Sequence, residues 1–222
     1  MVGLSESSQG LKPGRNNSGL PAVLAWLALS ALLFAGCGEG STKGLVLFVD
    51  AEFDPMTASD TSQPIHEANL AVAQTFTVLS TGKLEEFRIV VTDGESVDDG
   101  FIRITVRPLN GMGEPDDDPM TSIITPIDVD TTTLPVTLVE TFTTFDVGMD
   151  PGRQVVLGET YAIVVEFVSR TTSTDVNAIA RVLGQTDAGG DPYVDGTGST
   201  GANLAGFTNN TDDYFFRTFV LR

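Results

Sequence analysis

Cysteine and histidine are almost missing from this chain, whose 222 residues include one cysteine, Cys37, and one histidine, His66. A single cysteine excludes an internal disulfide, so the fold must be stabilised by its apolar core. A single histidine argues against zinc sites and triads that need several or well-placed histidines. Because His66 lies in a polar stretch beside Glu67, we expect it to be a surface residue rather than a general base.

Positive charge is also scarce, since 12 lysines and arginines stand against 30 acidic residues and give a formal net charge of −18. This balance argues against nucleic acid as a partner, because phosphates are bound by lysine and arginine. It also argues against electrostatic binding of the whole surface to anionic lipid. The charge favours solubility and is compatible with cation binding.

Long apolar runs are limited to one, from Val23 to Ala35, which follows Lys12 and Arg15 and ends just before Cys37. A charged region, an apolar region of about 7–15 residues and a small-residue cleavage site together form a secretory signal. A membrane-spanning helix needs about 20 apolar residues. The pattern therefore predicts an export signal rather than a spanning helix.

The residues Leu33-Phe34-Ala35-Gly36-Cys37 resemble a bacterial lipoprotein signal, with phenylalanine where leucine is usual. The resemblance implies a signal peptide over residues 1–36, a lipidated Cys37 at the mature N-terminus and a tether over 37–44. Several acyl chains hold a protein at a membrane durably, because each buried CH₂ contributes about 0.8 kcal/mol. Gly38 resembles the outer-membrane sorting default, so the implied location is the bacterial cell envelope at the outer membrane. An ordinary cleaved signal with an incidental cysteine is the alternative.

Residues 45–222 show the period of two that is typical of half-buried antiparallel strands. In the segment Phe101 to Arg107, isoleucine and valine alternate with arginine and threonine, which predicts an apolar inner face and a polar outer face. The run Tyr161 to Phe167 predicts a central strand, and Leu45 to Val49 predicts a buried one. Asp50 to Asn69 predicts a long loop. Short strands separated by turns indicate a single all-β domain, an antiparallel jelly-roll-like β-sandwich.

Three of these strands, at Ala73 to Val78, Val156 to Val165 and Tyr214 to Val220, resemble the secreted bacterial β-sandwich domains called choice-of-anchor domains. The resemblance spans about residues 70–222. It implies a surface module without established catalytic residues, similar in shape to carbohydrate-binding jelly rolls.

Two acidic groups are candidate metal sites. Asp116, Asp117 and Asp118 are adjacent, and Asp187, Asp191 and Asp195 lie in a glycine-rich region. Calcium takes six to eight oxygen ligands, and carboxylates about 4 Å apart repel by about 1 kcal/mol even in water, so a calcium ion would order either loop. A solvated acidic turn is the alternative for the first group.

Three aromatic residues in or beside the glycine-rich region, Tyr193, Phe207 and Tyr214, are candidate ligand-binding residues, because rings stack on sugars. The only tryptophan, Trp26, lies in the predicted signal, so these rings would have to provide the stacking surface. The alternative is that they fill the core beneath the loop.

The sequence therefore predicts a lipid-anchored, non-catalytic envelope protein that binds a glycan or a protein, with structural calcium as its only candidate cofactor. A structural envelope component that assembles with its neighbours is one alternative. A glycoside hydrolase is another, since it needs only two facing carboxylates, but the sequence singles out no pair.

Overall fold

The computed structural model describes residues 46–54, 61–67, 71–94, 99–136, 141–147, 153–171, 178–186, 193, 195–201, 206–210 and 212–222. Cys37, the predicted signal and tether, Asp187 and Asp191 lie outside these residues. Within the described ranges, no helix is long and apolar enough to span a membrane.

The described chain is built from β-strands and two short 3₁₀ turns at Pro119–Thr121 and Thr131–Thr133. The strands are β1 (Leu47–Phe53), β2 (Thr61–Ile65), β3 (Ala71–Thr77), β4 (Gly82–Ile89), β5 (Val91–Asp93), β6 (Gly100–Pro108), β7 (Ile127–Asp130), β8 (Thr143–Asp146), β9 (Gln154–Val155), β10 (Thr160–Arg170), β11 (Ala180–Thr186), β12 (Gly198–Gly201), β13 (Phe207–Asn209), β14 (Asp212–Tyr214) and β15 (Phe216–Leu221).

These strands form three antiparallel sheets. The first has the order β1-β15-β4-β8, with β9 paired to β4, and the second has the order β13-β12-β3-β10-β6-β7. The third has the order β14-β11-β2, with β5 paired to β11. The sheets pack as a sandwich, so the predicted all-β antiparallel class is confirmed.

The core lies between the five-stranded and six-stranded sheets, whose inner faces contribute to one buried apolar cluster. Alternation along β6 and β10 sends isoleucine and valine into this cluster, as predicted. Phe76 of β3 and Phe216 of β15 link the two layers, with ring centroids 5.9 Å apart. The strand predicted to be central, β10, lies between β3 and β6.

Two continuous runs of extended chain are divided between sheets. The chain leaves β4 at Val90 and enters β5 in another sheet, and it makes the reverse passage from β14 to β15 at Phe215. Val90 donates to the carbonyl of Phe215, Phe215 to Leu183, and Leu183 to Val90, at 3.2, 3.1 and 3.0 Å. The three side chains form a small core of their own, which closes the corner between the sheets.

Strand β1 departs from the sequence prediction, because Leu47, Phe48 and Val49 are exposed rather than buried. The strand also continues to Phe53, into the segment predicted as a loop. A register shift between Val49 and Glu52 marks a β-bulge opposite Thr218. The buried Thr218 hydroxyl accepts from the Ala51 N–H at 3.0 Å and donates to the Ala51 carbonyl at 3.2 Å, so the bulge keeps its backbone hydrogen bonds.

The bulge turns Asp50 inward, as bulges commonly re-aim one side chain. Asp50 is 4% exposed, and its Oδ2 accepts from the Leu79 N–H at 3.1 Å. Its Oδ1 has no hydrogen-bond partner among the described residues. Burial raises the pKa of the Asp50 carboxyl above its ordinary value, although the Leu79 N–H opposes this effect.

Candidate functional site

The outer face of the six-stranded sheet carries the candidate site, and small residues form its floor. Ala71 and Ala73 of β3 lie beside Ala162 and Val164 of β10, and all four are buried in one cluster with Phe207. Small side chains keep the backbone close to the surface of the sheet, so larger neighbours at the edges rise above the floor. These four residues are at most 6% exposed, and Phe207 and Leu109 pack on them, so most of this floor is covered.

Arg107 of β6 forms one wall, where it lies opposite Ala162 in the strand register. Its Nε donates to Thr105 Oγ1 at 2.8 Å, and its Nη2 donates to Glu166 Oε2 at 2.6 Å. Its Nη1 donates to the Asp116 carbonyl at 3.3 Å. The side chains of Arg107 and Glu166 are only 1% and 8% exposed. A buried charge pair of this kind is tolerated only when further hydrogen bonds satisfy both groups, and these contacts meet that requirement for the guanidinium.

Sequence alternation correctly assigned Arg107 and Thr105 to the face opposite the main core, but both are buried rather than exposed. The loop after β6 explains the difference. Leu109 pairs with Pro115 across this loop and packs on the small-residue cluster, while Asp116 supplies its carbonyl to the guanidinium. Gly113, with φ +81°, makes the tight turn, since this backbone conformation favours glycine.

Each of the three adjacent aspartates accepts a hydrogen bond from a backbone N–H. Asp116 accepts from the Asp118 N–H at 3.0 Å, and Asp118 accepts from the Met120 N–H at 2.8 Å, where it caps a 3₁₀ turn. Asp117 accepts from the Gly206 N–H at 3.3 Å. The structure thus gives these carboxylates three separate partners, and only Asp117 reaches the opposite wall of the site.

That opposite wall comes from β12 and β13. Gly201 pairs with Phe207 in the register, and Gly206 has φ +91°, so the chain turns sharply just before the Phe207 ring. The contact between Gly206 and Asp117 closes the space above the floor into a cleft. Its lining residues are Ala71, Arg107, Asp117, Glu166, Gly201, Gly206 and Phe207.

The cleft has room for about one water molecule. A guanidinium, two carboxylates and the edge of a buried ring therefore surround a space for one small polar group. Most of its accessible lining is apolar, although a guanidinium and two carboxylates contribute to it. Chemically, the cleft suits a small group that combines apolar contact with a hydrogen bond, such as a hydroxyl on a larger ligand lying across the surface.

The three candidate aromatic residues are all buried, and the structure does not bring them together. Phe207 lies in the outer-face cluster, whereas Tyr193 and Tyr214 belong to the main core. Tyr193 packs edge-on against Phe216, with centroids 5.0 Å apart, and the Tyr214 hydroxyl accepts from Asn210 Nδ2 at 2.8 Å. The two tyrosines therefore fill the core, as the alternative interpretation held, and only Phe207 borders the cleft.

Both tyrosines sit beside acidic groups. Burial raises the pKa of Tyr193, and the negative charge of Asp195 adds to the effect. Burial also raises the pKa of Tyr214. The buried Asp213 links the residues around them, since it accepts from Gln74 Nε2 and from the Tyr193 N–H, each at 3.2 Å.

The second predicted metal group is described only at Asp195, whose carbonyl accepts from the Thr77 hydroxyl at 3.0 Å. Across the residues that the structure describes, no three His, Cys, Asp or Glu side chains are grouped so that they could hold a metal ion. Calcium binding by Asp187, Asp191 and Asp195 stays a prediction.

Sequence reasoning missed Arg107 and Glu166 as site residues. The signal that would have found them is a charged residue of each sign on the outer faces of two strands, 59 positions apart. Such a pair is rarely fully buried unless its members meet.

The chain matches no protein-family model, and the comparison with curated proteins found no similar sequence. The resemblances to a lipoprotein signal and to choice-of-anchor domains therefore stay predictions.

Proposed function

We propose that this chain is a lipid-anchored protein of the bacterial envelope whose β-sandwich binds a glycan without catalysing a reaction. The observation that carries the proposal is the cleft in which the Arg107–Glu166 pair, with its 2.6 Å contact, meets Asp117 and Phe207. A jelly-roll topology for the sandwich and a location at the outer membrane belong to the same proposal.

A sugar hydroxyl fits this cleft because it donates one hydrogen bond and accepts others. Glu166 or Asp117 would accept its proton, and the Arg107 guanidinium would donate to its oxygen. The limited volume admits one such group, so the rest of the glycan would lie on the surface outside the cleft. Recognition of a single hydroxyl by charged partners discriminates well, since a ligand lacking it leaves buried polar groups unpaired.

A protein ligand would instead cover the surface around the cleft over a broad area. Probing an array of glycans with the full-length protein in detergent distinguishes a glycan ligand from a protein ligand. We expect retention of a subset of glycans by the unaltered protein and loss of that binding with Asp117→Asn. The matched control is Asp146→Asn, an exposed aspartate of β8 in the other sheet, which should leave binding unchanged.

The proposal fails if no glycan is retained, or if both variants bind as the unaltered protein does. Retention of an envelope protein from the same host, with no glycan bound, would favour the protein ligand instead.

A glycoside hydrolase is the second candidate, because two carboxylates, Asp117 and Glu166, line one cleft. Hydrolysis needs one carboxylic acid and one carboxylate on opposite sides of the scissile bond, whereas Glu166 is held by Arg107. Turnover of nitrophenyl glycosides that disappears with both Asp117→Asn and Glu166→Gln would establish this function in place of simple binding.

The anchor is tested separately at Cys37. Metabolic labelling with a clickable palmitate should mark the full-length chain, and Cys37→Ser should abolish the label. An unlabelled product would refute the lipid anchor and leave the glycan proposal standing.

A further inference from the structure

One end of the sandwich exposes a group of large apolar side chains, which we call the end patch. Its members are between 41% and 62% exposed. They are Val46, Leu47, Phe48, Val49, Leu79, Val156 and Leu157. Single exposed apolar residues are normal, but a contiguous group marks a surface that contacts a partner or a membrane.

Strand register places these residues at the same end. Leu47 of β1 lies opposite Leu221 of β15, and Leu221 lies opposite Lys83 at the start of β4. The loop after β3 joins them, because the Leu79 N–H donates to Asp50 of β1. The Leu157 N–H donates to Thr81 Oγ1 at 2.9 Å, which fixes the last loop beside the others.

Positive charge borders this patch in a chain with a net charge of −18. Lys83 is exposed, and the Arg222 guanidinium lies over the Phe48 ring at 4.8 Å. Only two lysines follow residue 37, and the other, Lys43, precedes Val46 by three residues. The overall charge argues against binding anionic lipid with the whole surface, but this end combines apolar side chains with cations, as interfacial segments do.

The covalent chain limits how far this end can be from the proposed anchor. Nine peptide units link Cys37 to Val46, and an extended chain spans at most about 3.3–3.6 Å for each residue. Val46 therefore lies within about 30 Å of the lipidated cysteine.

We propose that the end patch rests in the interfacial layer of the bilayer and orients the sandwich on the membrane. The inference depends on the lipid anchor of the proposed function, since the tether keeps the patch near the lipid. Apolar side chains enter the headgroup boundary by about 5–10 Å, and Lys83 and Arg222 meet the lipid phosphates. The two contacts would have different roles, because the acyl chains hold the protein at the membrane durably and the patch fixes its orientation there.

A tryptophan placed in the patch tests this directly, because the processed chain has no tryptophan of its own. The full-length variants Leu79→Trp and Leu157→Trp are processed in the host and reconstituted in vesicles of phosphatidylethanolamine and phosphatidylglycerol, with and without brominated phosphatidylcholine. Val136→Trp is the matched control. Val136 is also exposed, and it lies at the opposite end of the sandwich. It follows the 3₁₀ turn in which Thr131 accepts a hydrogen bond from Gly100, the first residue of β6.

We expect brominated lipid to remove most of the fluorescence at positions 79 and 157 and almost none at 136. Equal quenching at all three positions, or none at 79 and 157 in protein that floats with the vesicles, would overturn the proposal. The second result would indicate a protein partner for the patch. If the protein does not float, the anchor itself is refuted and the inference fails with it. The mass of the product shows whether the predicted signal has been removed, because an unprocessed chain retains Trp26 and its fluorescence.

Discussion

The Arg107–Glu166 pair should respond to substitution in a way that no exposed ion pair would. Removing one member leaves the other charge buried without its partner, which costs about 3–5 kcal/mol. Replacing both members by apolar residues of similar volume often leaves the fold equally stable or stabilises it by about 1–4 kcal/mol. We therefore expect Arg107→Met and Glu166→Met each to destabilise the fold strongly, and the double variant to be more stable than either.

The magnitude follows from the contacts of each group. Arg107→Met withdraws the 2.6 Å bond from a carboxylate whose side chain is 8% exposed, together with donors to Thr105 and Asp116. For a domain of this size a loss of 1 kcal/mol lowers Tm by about 2–4 °C. Each single variant should therefore lose about 6–20 °C, measured by circular dichroism during heating and by urea unfolding.

The same strand supplies a matched control, because Arg103 makes two contacts with Asp128 at 2.7 and 3.0 Å. These side chains are 34% and 49% exposed, and exposed pairs contribute about 0–1 kcal/mol. Arg103→Met should thus cost little. The reasoning is refuted if Arg107→Met costs no more than Arg103→Met, or if the two substitutions at the buried pair add without coupling.

Three further predictions concern the bulge, a buried acid and the tyrosines. Thr218→Val should cost about 1–3 kcal/mol in urea unfolding, because the buried Ala51 N–H loses its acceptor. The raised pKa of Asp50 means that folding favours its protonated form, so the stability of the fold decreases as pH rises through the ordinary pKa of 3.8. Asp50→Asn should therefore stabilise the fold at neutral pH and much less at a pH below 3.8. Burial, aided by the hydrogen bond to Glu159, raises the pKa of Tyr161 to about 12. The native protein should therefore show little tyrosinate absorbance near pH 10. Its stability should decrease as pH rises from about 10 towards 12.

Each of these predictions has a clear contrary result. Thr208 is exposed on β13, so an equal cost for Thr208→Val would show that the Thr218 hydroxyl does not hold the bulge. A gain from Asp50→Asn that is independent of pH would point to packing rather than to the buried charge. Tyrosinate absorbance that rises near pH 10 in the folded protein, as it should in denaturant, would contradict the buried environment of the rings.

The sequence was sufficient for the parts of the fold whose pattern is local. Alternation along β6 and β10 records which side chains meet the core, and both strands lie where that pattern predicted. Strands β12 and β13 were missed because the segment containing them is rich in glycine and has no apolar alternation. Glycine is required there by close approach, since a Cβ at Gly198 would clash with the Asp212 carbonyl.

Other features depend on contacts between distant residues and leave no local trace. The polar face of β6 was expected to be exposed, but the loop after it returns over Arg107. The apolar run Leu45 to Val49 predicts a buried strand, but Leu47, Phe48 and Val49 are exposed. Periodicity alone does not distinguish a core strand from an edge strand that extends past the core. The cleft depends on the first of these differences, since Asp117 and Gly206 in its walls come from segments that the pattern did not place.

The distribution of the arginines gives the end patch its distinct character. Arg88, Arg103 and Arg153 contact carboxylates at 2.6–2.7 Å, Arg107 contacts Glu166, and Arg217 lies between Glu52 and Asp54. These pairs neutralise positive charge along the sides of the sandwich, where the unpaired excess is therefore acidic. Arg222 lies over the Phe48 ring and contacts the Ser80 hydroxyl, beside the exposed Lys83, and its charge also acts on the buried Asp50 carboxyl. An acidic body that keeps exposed cations beside exposed apolar side chains at one end would be repelled from an anionic surface in other orientations, so the charge pattern favours the orientation that we propose for the end patch.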